Sequence, residues 1–191
     1  MDRTRIARAV REILIAIGED PDREGLAETP ERVAGAYAHL FAGIFEDPSR
    51  HLEDAFAEGA RDLILVRDLP VASMCEHHIL PWIGKAHVGY LPNGRVAGFS
   101  ELARVVEGYA RRPQLQERLT AQVADAIHEK LGSSGAIVVV EAEHSCMTLR
   151  GAEAIGSVAV TSAARGILEE DAGRRTEILA LISRGGGLRN P

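Results

Sequence analysis

The sequence has only two cysteines, Cys75 and Cys146, in 191 residues, which excludes a fold stapled by several disulfides. They lie far apart, and each sits within three residues of a histidine. In a reducing compartment such cysteines are more often buried, catalytic or metal-bound than bridged. Long apolar runs are also missing. None approaches the ~20 residues that cross a bilayer, and Met1-Asp2-Arg3-Thr4-Arg5 leads into a charged amphipathic stretch, so the chain reads as cytoplasmic with no membrane partner. Positive charge is in deficit: 22 Lys and Arg against 28 Asp and Glu give a formal net charge of -6. Long-range electrostatics therefore repel a nucleic-acid backbone, and a polyanionic ligand needs a local cluster of Arg. The common phosphate cradles, G-x-x-x-x-G-K-[ST] and G-x-G-x-x-G after a strand, are absent. So are a Ser nucleophile elbow, H-E-x-x-H, and the H-x-E plus P-C-x-x-C pair of zinc deaminases.

What remains is the balance of an ordinary globular protein, 46% apolar and 26% charged, with length for one well-buried core and a small helical attachment. Ile6, Val10, Ile13, Leu14 and Ile17 recur at helical spacing before Gly18, and Thr29-Pro30 opens a second helix running to about Ala42. Residues 1–60 thus read as an N-terminal helical segment, ahead of the main domain over 61–184 and a disordered tail over 185–191. Leu63 to Val66 predicts a short strand, and 83–97, turning at Pro92-Asn93-Gly94, predicts a hairpin. Two helices follow, from Ser100 to Ala110 and from Pro113 to Leu131. Ala136 to Ala142 is a central strand, Val158 to Thr161 its hairpin partner, and Arg174 to Ser183 a last helix. Strands arriving as hairpins between helices argue for an α+β fold with an antiparallel sheet.

Two patches carry the chemistry: Cys75-Glu76-His77-His78 and His144-Ser145-Cys146. Zinc takes thiolate sulfur and imidazole nitrogen, and a catalytic site keeps three protein ligands and one open position. Cys75, His78 and Cys146 supply such a set. A tight turn can aim Cys75 and His78 at one ion, leaving His77 to point elsewhere. On an extended strand His144 and Cys146 share a face, placing a proton donor or acceptor beside the metal. A lone Cys or His is more often a core residue; the combined pattern is what reverses that reading.

Ser73-Met74-Cys75-Glu76-His77-His78-Ile79-Leu80-Pro81 resembles the S-x-C-E-H-H-x-x-P signature of the GTP cyclohydrolase I family. The likeness continues from Glu28-Thr29-Pro30-Glu31-Arg32 through Arg112-Pro113-Gln114-Leu115-Gln116-Glu117-Arg118 to His144-Ser145-Cys146-Met147 and Arg150-Gly151. The resemblance implies a tunnelling fold: an antiparallel sheet with two helices packed on one side, preceded by N-terminal helices. Sheets join into a five-subunit barrel, and two rings make a homodecamer with active sites between subunits. It also implies hydrolysis of GTP to 7,8-dihydroneopterin triphosphate and formate, with Zn2+ on Cys75, His78 and Cys146. By the same resemblance His144 and His77 transfer protons, and Gln116 and Glu117 hold guanine. Ser100, Arg104, Arg150 and Arg32 surround the phosphates.

Two positions depart from the family pattern. Glu101 stands where Lys is common, and Gly35 where bacterial members often carry Lys. A repulsive charge ~4 Å from a phosphate, at an effective dielectric of about 20, costs several kcal/mol. Two other readings follow: a paralogue acting on a less phosphorylated guanine derivative, and a non-catalytic zinc-stabilised assembly protein.

Overall fold

A computed structural model describes residues 1–150 and 153–183; the expected tail over 185–191 lies outside them. Helix α1 (Arg3–Ala16) is capped by the Asp2 carboxylate, which accepts from the Arg5 N–H at 2.9 Å. Helix α2 (Thr29–Leu40) begins at Thr29-Pro30, where the missing proline N–H costs no helical bond. Two short 3-10 turns lead to β1 (Phe56–Ala57), and then come β2 (Ile64–Cys75), β3 (Pro81–Leu91) and β4 (Arg95–Val96). Helix α3 (Phe99–Ala110), β5 (Pro113–Gln114) and helix α4 (Gln116–Leu131) follow. Gly132, at φ +61°, ends α4 in the left-handed cap that glycine adopts without penalty. The chain closes with β6 (Gly135–His144), the single turn α5 (Ser145–Thr148), β7 (Ala159–Gly166), α6 (Ile167–Glu170) and α7 (Ala172–Ser183).

The main sheet runs β5-β2-β3-β6-β7 and is antiparallel except where Met74 and Cys75 pair in parallel with Pro113 and Gln114. It is therefore mixed, against the purely antiparallel expectation. The predicted strand at Leu63 to Val66 extends to Cys75. Its pattern is hidden by a bulge between Val66 and Leu69, where Asp68 takes φ +58°. The predicted 83–97 hairpin does not form. Both edges of β3 are occupied by β2 and β6, and Arg95–Val96 pairs instead with Phe56–Ala57 in a separate ribbon.

Alternation along β3 and β6 sorts two cores. Trp82, Ala86, Val88 and Tyr90, with Ala136, Val138, Val140 and Ala142, face helices α3 and α4 through Leu102, Val105, Leu119, Val123 and Ile127. This is the expected pair of helices on one side. On the other face Leu91, Ile137 and Val139 meet Leu168, Ile178 and Ile182 of α6 and α7. At Gly84, β3 and β6 approach so closely that a methyl group would collide with the Glu141 carbonyl and lie 2.6 Å from Ala142 Cα and Cβ. Gly84→Ala is therefore expected to destabilise by about 1–3 kcal/mol, seen as a lower unfolding midpoint at fixed protein concentration. Gly59→Ala, where a methyl meets no atom within 4 Å, is the near-neutral control.

Candidate metal centre

Strands β2 and β3 are joined by Glu76-His77-His78-Ile79-Leu80. The Cys75 N–H donates to the Leu80 carbonyl at 2.8 Å, and the Ile79 N–H returns to the Cys75 carbonyl at 2.8 Å. Closing so tight a loop puts Ile79 at φ +52°, a conformation that a β-branched residue adopts at a cost of roughly 1–2 kcal/mol. The winding turns His78 back over Cys75, with Nδ1 3.8 Å from the thiol sulfur, and leaves the His77 side chain 64% exposed. This separates the two adjacent histidines as expected.

The second patch arrives differently. Strand β6 ends at His144, and Cys146 sits in the helical turn α5 rather than on an extended strand beside His144. The shared strand face expected for these two residues is replaced by a bend. The bend still delivers Cys146, because the ligand atoms of Cys75, His78 and Cys146 all lie within 4.8 Å of one another. Tetrahedral zinc, with bonds of about 2.3 Å to sulfur and 2.0 Å to nitrogen, sets ligand atoms about 3.5–3.8 Å apart, so the donor set fits. Among the described residues this is the one such cluster, and it offers three donors. Burial, and next the neighbouring Cys75, push the Cys146 thiol up from its ordinary value. A divalent cation reverses that penalty by favouring thiolates.

His144 lies across the β3–β6 ladder from Trp82 and stacks on the indole, with ring centroids 5.2 Å apart and planes 18° from parallel. Its Nε2 is 2.7 Å from Gln116 Oε1. Burial lowers its pKa, and the Glu117 carboxylate opposes that. Glu117 is exposed in the first turn of α4, but Gln116 is buried, 3% exposed, with its amide committed to protein partners. In the single chain both ends of the Gln116 amide, the oxygen facing His144 and the nitrogen facing β6 and β7, are thus engaged by protein partners.

Of the remaining predicted residues, Arg150 acts on this cluster. Its charge reaches Cys146 and lowers that thiol's pKa slightly. Ser100 and Arg104 lie on α3, where both Glu101 oxygens take Arg104 Nη1, at 2.9 and 3.0 Å. Arg32 pairs with Glu28 on α2. Among the described residues no hydrogen bond or ion pair joins Arg32, Ser100 or Arg104 to the metal-centre residues.

Sequence reasoning missed the clamp on the loop. Arg118, one turn into α4, grips Glu76 through both guanidinium nitrogens, at 2.5 and 3.1 Å, and the Glu76 N–H donates to the Gln114 carbonyl. An arginine two residues after Gln116 in a quoted motif was the available signal. Supports of this kind typically contribute 10–100-fold to metal affinity. Arg118→Met is expected to weaken zinc binding about tenfold, measured by competition with a chromogenic chelator, while overall secondary structure is unchanged.

The family model for GTP cyclohydrolase I matches residues 6–183. The chain belongs to the GTP cyclohydrolase I family. GTP cyclohydrolase 1 of Carboxydothermus hydrogenoformans is 58% identical over 191 residues, covering all of both chains. GTP cyclohydrolase 1 of Rhodopirellula baltica is 58% identical over 184 residues, 96% of this chain and 80% of that one. That of Geobacillus kaustophilus is 58% identical over 179 residues, 93% of this chain and 95% of the other. Among solved structures, the archaeosine synthase QueF-Like in the apo form aligns with a TM-score of 0.46 at 20% identity, over 55% of this chain and 93% of that one. The family match spans the CEHH loop, the Gln116-Glu117-Arg118 helix start and Cys146. No helix among the described residues is long and apolar enough to cross a membrane.

Proposed function

We propose that this protein opens the imidazole ring of the guanine of GTP by zinc-dependent hydrolysis, yielding formate and 7,8-dihydroneopterin triphosphate. The observation that carries the reading is the convergence of Cys75, His78 and Cys146, with His144 at the end of the strand that leads to Cys146. Zinc bound there would lower the pKa of water from about 16 to near 7 and supply the nucleophile for C8 of the purine. His144 gives a proton to the departing imidazole nitrogen. The exposed His77 moves protons at the ribose during rearrangement and reclosure. The Glu117 carboxylate accepts two N–H bonds from guanine, which adenine cannot offer.

Ser100, Arg104 and Arg32 share no hydrogen bond or ion pair with the metal-centre residues among the described residues of one chain, and in the proposed assembly neighbouring copies bring them to it. The outer edge of β7 pairs with no strand among the described residues, and Val160 on it and Val158 just before it are 61% and 56% exposed, which supports barrel closure between copies and a decamer of two five-membered rings. The direct test is formate release from GTP together with a pterin absorbance change, lost on chelation and restored by zinc. Absence of both products in zinc-replete protein sinks the proposal.

One observation favours a second reading. Glu101 occupies Arg104 within the same helix turn, so the cation meant for a phosphate is already neutralised. On this reading the substrate carries fewer phosphates. Turnover of GTP, GDP, GMP and guanosine decides between them: the second reading requires GMP or guanosine to exceed GTP, and Glu101→Lys to reverse the order.

A further inference from the structure

Gln116 opens α4 with its side chain directed into the sheet rather than toward solvent. Its amide nitrogen donates to the Val140 carbonyl at 2.9 Å and the Ala159 carbonyl at 3.0 Å, with Thr161 Oγ1 at 3.2 Å. Carbonyl oxygens only accept, so turning the amide over would set three acceptors against one another. The hydrogen-bond pattern thus assigns nitrogen and oxygen unambiguously. The hydroxyls agree. Thr120 gives its proton to the Gln116 main-chain carbonyl at 2.7 Å, so Thr161, 2.7 Å away, donates to Thr120 Oγ1 and keeps a lone pair for the side-chain amide.

Gln116 Oε1 is then an acceptor 2.7 Å from His144 Nε2, and a bond of that length requires the proton on Nε2. The indole of Trp82 fixes the plane of the same ring. We propose that Gln116 is a positioning residue that holds neutral His144 as its Nε2–H tautomer, so that His144 exchanges protons with the substrate through Nδ1 alone. The proposal rests on the reading of His144 as the proton-transfer residue. It gives Gln116 a task distinct from holding guanine.

The test reads the wild-type protein, and a variant serves only to assign its signals. In the zinc-loaded, full-length protein labelled with 15N-histidine, solid-state NMR above the titration range of His144 reads each ring nitrogen. The His144 signals are those lost in His144→Asn. A protonated Nε2 and an unprotonated Nδ1 are expected; the opposite assignment, or a tautomer mixture, overturns the proposal. Kinetics give an independent reading. Gln116→Met is expected to lower kcat about 10²-fold with KM for GTP and zinc content unchanged, and Gln116→Glu, which keeps an acceptor toward Nε2, to recover part of that loss. A rise in KM at constant kcat would return Gln116 to guanine binding and refute the positioning role. Wild-type protein that releases no formate from GTP would refute the functional reading instead, leaving the NMR result to judge the tautomer.

Discussion

Cys146→Ala is expected to lose both metal and turnover: zinc per chain falls from near one to near zero after dialysis, and formate release drops at least ~10³-fold. The size of the effect follows from the donor count. Three donors converge, and none of the described residues stands by as a substitute. With one removed, a thiol and an imidazole on a single loop remain to hold the ion. Cys146 is also the donor contributed from a distant part of the chain, so without it no metal can tie the α5 turn to the β2–β3 loop. The fold should survive, because Cys146 is only half-buried and packs at the margin of the main core. Metal content by atomic emission and the unfolding midpoint, measured on the same sample, separate loss of the site from loss of the fold. Full zinc occupancy in the variant would disprove the assignment.

His144→Ala is expected to keep its zinc and lose about 10²–10⁴-fold in kcat, the range of a positioned general acid or base. Its ring is not among the three clustered donors, Nε2 is engaged by Gln116, and one face lies against Trp82. On the proposed role, truncation removes a proton carrier and leaves the cluster of Cys75, His78 and Cys146 intact. Steady-state kinetics with metal analysis check this. A variant that loses zinc along with activity would make His144 a ligand or a structural prop of the α5 turn rather than a proton carrier.

The helices and the Cys75–His78 half of the three-donor cluster were legible in the sequence for the same reason: both depend on local spacing. Helical periodicity marked α1, α3 and α4, and Cys75 and His78 fall three residues apart in a loop tight enough to aim both at one point. The strand register was not legible. The bulge at Asp68 broke the alternation that would have carried β2 to Cys75, and the turn at Pro92–Gly94 suggested a hairpin whose partner strand lies elsewhere. Cys146 was placed correctly at the cluster but by the wrong geometry, because a one-turn helix after β6 leaves no periodic trace. The direction of the Gln116 side chain was not legible either. Residue type tells what an amide can bind, but which way it faces depends on Val140 and Ala159, carbonyls on β6 and β7. Trp82 beside His144 is likewise a consequence of register.

X-ray absorption at the zinc edge tests the central claim most directly, since it counts ligand types around the ion in the assembled protein. Two sulfur atoms at ~2.3 Å and two lighter nitrogen or oxygen atoms at ~2.0–2.1 Å are predicted, one of the light atoms exchangeable with solvent. A shell with fewer than two sulfurs would mean that Cys75 and Cys146 do not share an ion, contradicting the account.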